Sequence, residues 1–368
     1  MNTVSIYGIG KLGLCVALIF EKKGYNVIGV DKNTDYVNLI NSKKFISFEP
    51  QVNNYLNTAT NIMATTDVQY GYENSDIIFI YVSTPSLANS RYDHSQIDNI
   101  IEQLIDCSKR QNKRKHLIIG CTTMPGYCDE AQKKLDSFGF IVSYCPEFIA
   151  QGSIIHGLLN PDILLIGEGN DSAGDILIKL YANIFQNKPS IHRMSPKEAE
   201  ISKIALNCYL TTKISYANMI GDIAISAGCK PEIILNALGA DSRIGVEYLT
   251  YGFGFGGPCL PRDNRALASY AMDLGIKALI SLASNEANVL HLKFQLDEYK
   301  KNHDKNEPII ITDVAYKPGT NIIEESQQLA LASLLADNGF KITINNSHEV
   351  IEIIRSIFAD KFEYSLSD

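Results

Sequence analysis

Cys259 stands within residues 252–263, which read G-F-G-F-G-G-P-C-L-P-R-D. Four glycines precede the thiol, and Arg262 and Asp263 follow it. Glycine lets a backbone approach a ligand closely and adopt positive φ. A nearby cation favours the thiolate, the form that attacks carbon. Thiol, cation and carboxylate in one flexible segment point to covalent catalysis on a small molecule. Taken alone, the segment also fits a glycine-rich turn around a buried, inert cysteine.

A second constellation lies at the amino terminus. The apolar run Val4, Ile6, Tyr7 leads into G-I-G-K-L-G, with Gly8, Gly10 and Gly13, and then into the helical pattern L-C-V-A-L-I-F. A further apolar run, N-V-I-G-V, ends in Asp31, at the distance of about 20 residues expected of a dinucleotide fingerprint. The glycines let backbone N–H groups meet a pyrophosphate at the helix N-terminus. Asp31 suits the adenosine ribose hydroxyls and repels a 2′-phosphate, so the expected cofactor is NAD.

These groups need a scaffold, and the chain supplies an α/β rhythm. Buried strands are expected over residues 76–82, 116–121 and 140–145. Thr84, Thr122 and Glu147 follow their carboxyl ends, the rim where an open parallel sheet binds ligands. Each also fits a turn, a cap or a solvated loop acid. From Ser195 a helix of about 30 residues is expected, with Ser195 as N-cap and Pro196 in the first turn. That exceeds the usual length of about 11–12, so it reads as a spine between lobes and a dimer interface. Lys203 and Asn207 share one face of it. From residue 307 a strand, a helix, a second strand and a final helix read as a smaller α/β lobe. The expected domains are 1–194, 195–300 and 301–368, the first Rossmann-like, the second built on the long helix, the third a short α/β unit.

The chain has 368 residues, a net charge of −8 and 45% hydrophobic residues. The charge argues against a nucleic-acid surface. The one basic run, residues 109–115, reads as a solvated helix end. No apolar run approaches the roughly 18 residues of a membrane span, and no signal peptide is evident. The 8 cysteines lack metal-ligand spacing and look like reduced thiols, so a cytoplasmic location and no metal are expected.

The motifs together resemble the UDP-glucose/GDP-mannose 6-dehydrogenase family over nearly the whole length. They are the amino-terminal fingerprint, F-E-P at 48–50, S-T-P at 83–85, C-T-T-M-P-G at 121–126 and C-P-E-F-I-A-Q-G at 145–152. Further along come E-A-E-I-S-K-I-A-L-N at 198–207, D-S-R-I-G at 241–245, the Cys259 segment and A-Y-K-P-G-T-N at 315–321. The resemblance implies a four-electron oxidation of a nucleotide sugar at C6, with two NAD⁺ consumed in succession. UDP-glucose is the expected substrate, with GDP-mannose or a UDP-N-acetylhexosamine as alternatives.

By the same resemblance Cys259 is the nucleophile, carrying the sugar as aldehyde adduct and then thioester. Lys203 and Asn207 stabilise the alkoxide and oxyanion, and Asp263 is an acid near the thiol. Glu147 with Thr122 activates or orients the hydrolytic water. Lys11, Leu12, Thr84, Thr122 and Arg262 join the glycines and Asp31 around NAD, with Arg262 standing where lysine is usual. Phe148, Ile149, Arg243, Tyr248, Gly256 and Lys317 are expected at the nucleotide sugar, Arg243 across the interface of a homodimer formed through the central helix.

Three further positions depart from the family pattern. Glu324 stands where an arginine is usual, Tyr36 where a basic residue is usual, and Gln151 where a glutamate is common. Two other classes therefore stay open. A simple hydroxyacid or 6-phosphogluconate-type dehydrogenase would need no thiol, and a non-catalytic NAD-binding protein would tolerate Glu324.

Overall fold

The computed structural model describes residues 3–111, 113–149 and 151–366. The chain gathers into two compact units, Met1–Lys203 and Ile204–Asp368.

The first unit is built on eight strands: β1 (Thr3–Tyr7), β2 (Asn26–Val30), β3 (Ile62–Thr65), β4 (Ile77–Ile80), β5 (Lys115–Ile119), β6 (Phe140–Tyr144), β7 (Ile163–Gly167) and β8 (Ser190–Met194). Their spatial order is β3-β2-β1-β4-β5-β6-β7-β8. All pairs are parallel except β6 with β7, which meet at Tyr144 and Gly167. Parallel strands covered on both faces read as unbroken apolar runs. Ile6, Phe20, Phe79 and Ile118 pack in one core cluster, and Ile78, Ile80, Leu117 and Ile119 in another. The strand order reverses between β1 and β4, which makes their carboxyl ends the ligand crevice of a Rossmann-type sheet. The run expected over 76–82 pairs only as Ile77–Ile80, although the Tyr81 N–H still donates to the Tyr7 carbonyl at 2.8 Å.

The long helix is Pro196–Ser226, 31 residues. Its start is a reciprocal cap: the Ser195 N–H donates to Glu198 Oε2 at 2.8 Å, and the Glu198 N–H donates to Ser195 Oγ at 3.4 Å. The helix leaves the first unit and opens the second.

The second unit continues with helices Pro231–Gly239, Leu260–Asp273 and Leu279–Asn302. It ends in a parallel sheet of β9 (Ile309–Thr312), β10 (Ile342–Asn346) and β11 (Glu363–Leu366), in the order β11-β10-β9. Helices Gln327–Asp337 and His348–Phe358 connect these strands. Leu331, Leu335, Ile344 and Ile354 form their core. β11 lies beyond the final helix expected from the sequence. E-Y-S-L is too short and too polar to read as a strand alone, and the open edge of β10 gives it a partner. Among the described residues no helix is long and apolar enough to cross a membrane, and no group of His, Cys, Asp and Glu could hold a metal ion.

Candidate active site

In the first unit the glycine turn is shaped by contact. Gly8 has φ of +86°, and a Cβ there would lie 2.5 Å from the Tyr81 carbonyl oxygen. A Cβ on Gly13 would lie 2.0 Å from the Gly8 oxygen. Both positions must therefore be glycine. Gly10 differs: it caps the helix Lys11–Lys22, and a Cβ there would meet nothing within 4 Å. The bare N-terminus of this helix is open to an anion, so the turn fits a dinucleotide pyrophosphate. Asp31 follows β2, its Oδ1 accepting the Asn33 N–H at 3.0 Å. Lys11 donates to Gln151 Oε1 at 3.0 Å, and Leu12 packs on the core beneath the turn. Tyr36, in the place of a basic residue, donates its hydroxyl to the Ile9 carbonyl at 2.8 Å.

The rim residues meet as the sheet order requires. Thr84, buried past β4, donates its hydroxyl to the Thr122 carbonyl past β5 at 2.8 Å. Glu147, past β6, accepts hydroxyls from Tyr81 at 3.0 Å and Tyr181 at 3.2 Å. Loss of solvent pushes its carboxyl from 4.5 up to about 7, and those two hydrogen bonds and the Lys203 charge oppose the rise. A carboxyl near neutrality is suited to proton transfer at working pH. Lys203 is buried, donates to the Glu147 carbonyl at 2.7 Å and lies 4.4 Å over the Phe148 ring. Ile149 packs against the core beside it.

Sequence reasoning missed four residues around this rim. Glu200, fully buried one turn before Lys203, accepts the Thr123 hydroxyl at 2.9 Å and the Gly126 and Cys128 N–H groups at 2.6 and 2.9 Å. It thereby pins the T-T-M-P-G turn to the long helix. Glu49, from F-E-P, accepts the Gly152 and Ile154 N–H groups at 2.9 and 2.6 Å, which fixes the segment after Glu147. Acids inside E-A-E-I-S-K and F-E-P were the visible signal for these two. Tyr81 and Tyr181 gave none, since a tyrosine in an apolar run reads as core.

In the second unit Cys259 is exposed and caps the helix Leu260–Asp273. The helix dipole favours negative charge on a sulfur placed there. One turn on, Asp263 is 1% exposed. Its Oδ2 accepts the Asn207 amide at 2.6 Å and its Oδ1 the Arg262 Nε–H at 3.2 Å. Arg262, expected around NAD, also makes an ion pair with Asp263 at 3.2 Å. The glycine segment is held from two helices. Asn218 accepts the Gly252 N–H at 3.1 Å, His291 Nε2 meets the Gly252 oxygen at 2.7 Å, and Asn288 bonds both backbone groups of Phe255 at 2.9 and 3.0 Å.

The thiols sort by burial. Six of the eight are buried and none is in a disulfide. Burial pushes Cys15 up to about 12, and burial beside Asp263 does the same to Cys208. Cys229 and Cys259 are the exposed pair, and only Cys259 caps a helix that carries a buried carboxylate.

The remaining expected substrate residues lie in the second unit. Arg243 is exposed and paired with Asp241 at 2.7 Å. Tyr248 is exposed with φ of +61°. Gly256 packs tightly, since a Cβ there would lie 2.4 Å from the Glu325 carbonyl oxygen. The Glu324 carbonyl accepts the Gly257 N–H at 3.0 Å, and Arg265 pairs with Glu325 at 2.6 Å. Lys317 is half-buried, its carbonyl accepting the Thr320 hydroxyl at 2.9 Å.

Comparison with known proteins agrees with this architecture. Residues 2–185 match the NAD binding domain of the UDP-glucose/GDP-mannose dehydrogenase family, and residues 197–289 match its central domain. A UDP-glucose 6-dehydrogenase of Pseudomonas aeruginosa is 28% identical over 352 residues, 92% of this chain and 77% of that protein. A GDP-mannose 6-dehydrogenase of the same organism is 28% identical over 356 residues, covering 93% and 80%. The structure of a UDP-glucose dehydrogenase from the hyperthermophilic archaeon Pyrobaculum islandicum superposes with a TM-score of 0.91 at 26% identity, covering 100% of this chain and 86% of that one.

Proposed function

The chain belongs to the UDP-glucose/GDP-mannose dehydrogenase family, and from that premise we propose that it oxidises C6 of UDP-glucose to the carboxylate, giving UDP-glucuronate. It is an NAD-dependent oxidoreductase. Gly8, Gly10, Gly13 and Asp31 would hold the cofactor, with Lys11, Leu12 and Thr84 around it. When bound, NAD⁺ supplies the hydride acceptor for each of the two oxidations.

The balance is one alcohol, two NAD⁺ and one water giving one carboxylate, two NADH and three protons. The first loss of hydride and proton leaves an aldehyde. The Cys259 sulfur adds to its carbon, and Lys203 and Asn207 donate to the oxygen that becomes negative. Asp263, held by Asn207 and Arg262, keeps a charge near the thiol and takes protons through water. A second loss of hydride and proton from the adduct leaves a thioester. Glu147, with Thr122, takes a proton from the attacking water; the carbon–sulfur bond breaks and the thiolate returns. Phe148, Ile149, Tyr248, Gly256 and Lys317 line the nucleotide sugar. Arg243 reaches the substrate of a second copy. Tyr209, Tyr216, Met219 and Ile223 form an exposed stripe on the long helix, which that copy covers. Thiols outside any disulfide suit a reducing cytoplasm.

The observation that carries this reading is the exposed thiol capping a helix whose next turn buries Asp263. The experiment mixes the protein with NAD⁺ and a panel of nucleotide sugars. Two NADH per acid from UDP-glucose, and none from GDP-mannose, are expected. NADH from GDP-mannose alone moves the substrate, and none from any nucleotide hexose favours a non-catalytic NAD-binding role.

A further inference from the structure

Tyr81 and Tyr181 come from different elements and converge on one atom. Tyr81 directly follows β4, and Tyr181 lies in the helix Asp171–Ala182. Both hydroxyls donate to Glu147 Oε1, at 3.0 and 3.2 Å. Oε2 makes no hydrogen bond among the described residues.

Both rings are buried and locked. The Tyr81 ring lies parallel to Phe79 with centroids 6.1 Å apart, and it fills the face of Gly120, where a Cβ would lie 2.3 Å from it. Tyr181 stacks on Phe185 at 5.3 Å. Phenylalanine would fill the same volumes, so packing alone does not call for the hydroxyls. The other groups facing the carboxylate are Cys145 and Lys203. Burial and Glu147 push the Cys145 thiol up, which keeps it neutral, and Lys203 supplies the one positive charge. Burial and the neighbouring carboxylate push both phenols well above their ordinary value, so they remain proton donors.

We propose that Tyr81 and Tyr181 are positioning residues for Glu147: their hydroxyls hold Oε1, favour the charged form of the carboxylate and leave Oε2 to take the proton of the hydrolytic water. The proposal rests on the reading of Glu147 as the base for thioester hydrolysis. The same strand end serves the nucleotide turn, since the Tyr81 carbonyl abuts Gly8. One residue thus braces the cofactor turn with its backbone and the base with its side chain.

The test uses the full-length protein with Tyr81→Phe and Tyr181→Phe, alone and combined. Two readouts are taken: the Glu147 carboxyl by infrared titration, assigned by difference from Glu147→Gln, and the pH profile of kcat. A hydrogen bond to the charged form is worth about one pH unit, so each variant should move the carboxyl midpoint up by roughly that much. A base that titrates near 7 and moves up one unit loses about fivefold at pH 7 and recovers by pH 9. An unmoved midpoint, or an equal loss of kcat at every pH, overturns the proposal. A moved midpoint with an unmoved kcat profile upholds the positioning role and rejects Glu147 as the base. Circular dichroism of each variant checks that the fold persists, and the combined variant should shift further than either alone.

Discussion

Asn207 donates its amide to the Asp263 carboxylate at 2.6 Å, although sequence reasoning had assigned the amide to the substrate's oxyanion. An asparagine amide has two N–H groups, and this contact uses one of them. The other is left for the developing negative charge that the proposed mechanism assigns to it, so one side chain can serve both parts. Asn207→Ala strips a buried carboxylate of a hydrogen bond, a loss of about 1–3 kcal/mol. Thermal melting should record it. Asp263→Asn removes the charge and sets an amide donor against one of the two donors that face it, so single-turnover rates should fall by about 10²-fold or more and the melting temperature should fall as well.

The Glu147 carboxyl sits at about 7, above its ordinary 4.5. Sign decides two outcomes. A base must be ionised, so hydrolysis should rise with pH through about 7, and Glu147→Gln should abolish that limb. A raised folded value also means that the stability tied to the protonated acid is whole below about 4.5 and is lost as pH rises through about 7. Urea titrations from pH 4.5 to 8 should show a flatter stability for Glu147→Gln than for the parent.

The two kinds of glycine in the nucleotide turn should respond differently. Gly13→Ala forces a Cβ to within 2.0 Å of a backbone oxygen and should lower the melting temperature without any cofactor. Gly10→Ala meets nothing within 4 Å and should leave that temperature unchanged while abolishing the rise caused by NAD⁺. Scanning fluorimetry with and without NAD⁺ separates the two.

Much of this was legible in the sequence. The fingerprint placed the crevice, and the Ser195–Glu198 cap placed the start of the long helix. Local chemistry writes such features directly into residue order. The partners of the site were less visible. Tyr81 lies in an apolar run and reads as core, and its hydroxyl meets the Glu147 carboxylate, 66 residues on, only through the tertiary path of the chain. Glu200 and Glu49 stood in recognised motifs, yet their clamping of backbone N–H groups needs the tertiary path of the chain. β11 was missed because its strand character comes from the edge of β10.

The stripe of Tyr209, Tyr216, Met219 and Ile223 is exposed on the long helix. In the proposed dimer a second copy covers it, so the parent should be a dimer and Met219→Glu with Ile223→Glu a folded monomer by light scattering; a monomeric parent would contradict the proposal. A dimer of unchanged mass would put the interface elsewhere.

Alkylation should single out the thiols that water reaches. Brief treatment with iodoacetamide at neutral pH should label Cys259 ahead of Cys229 and leave the six buried cysteines unmodified. Peptide mapping gives the order, and labelling of Cys259 should track the loss of NADH production.

The most direct test is the mass of the Cys259 peptide after acid quench of the Glu147→Gln variant turning over UDP-glucose with NAD⁺. Slowed hydrolysis should leave the nucleotide-sugar acyl group on Cys259, absent when Cys259→Ser is added. An unmodified Cys259 together with continued production of the acid, or full turnover by Cys259→Ser, would contradict covalent catalysis by this thiol.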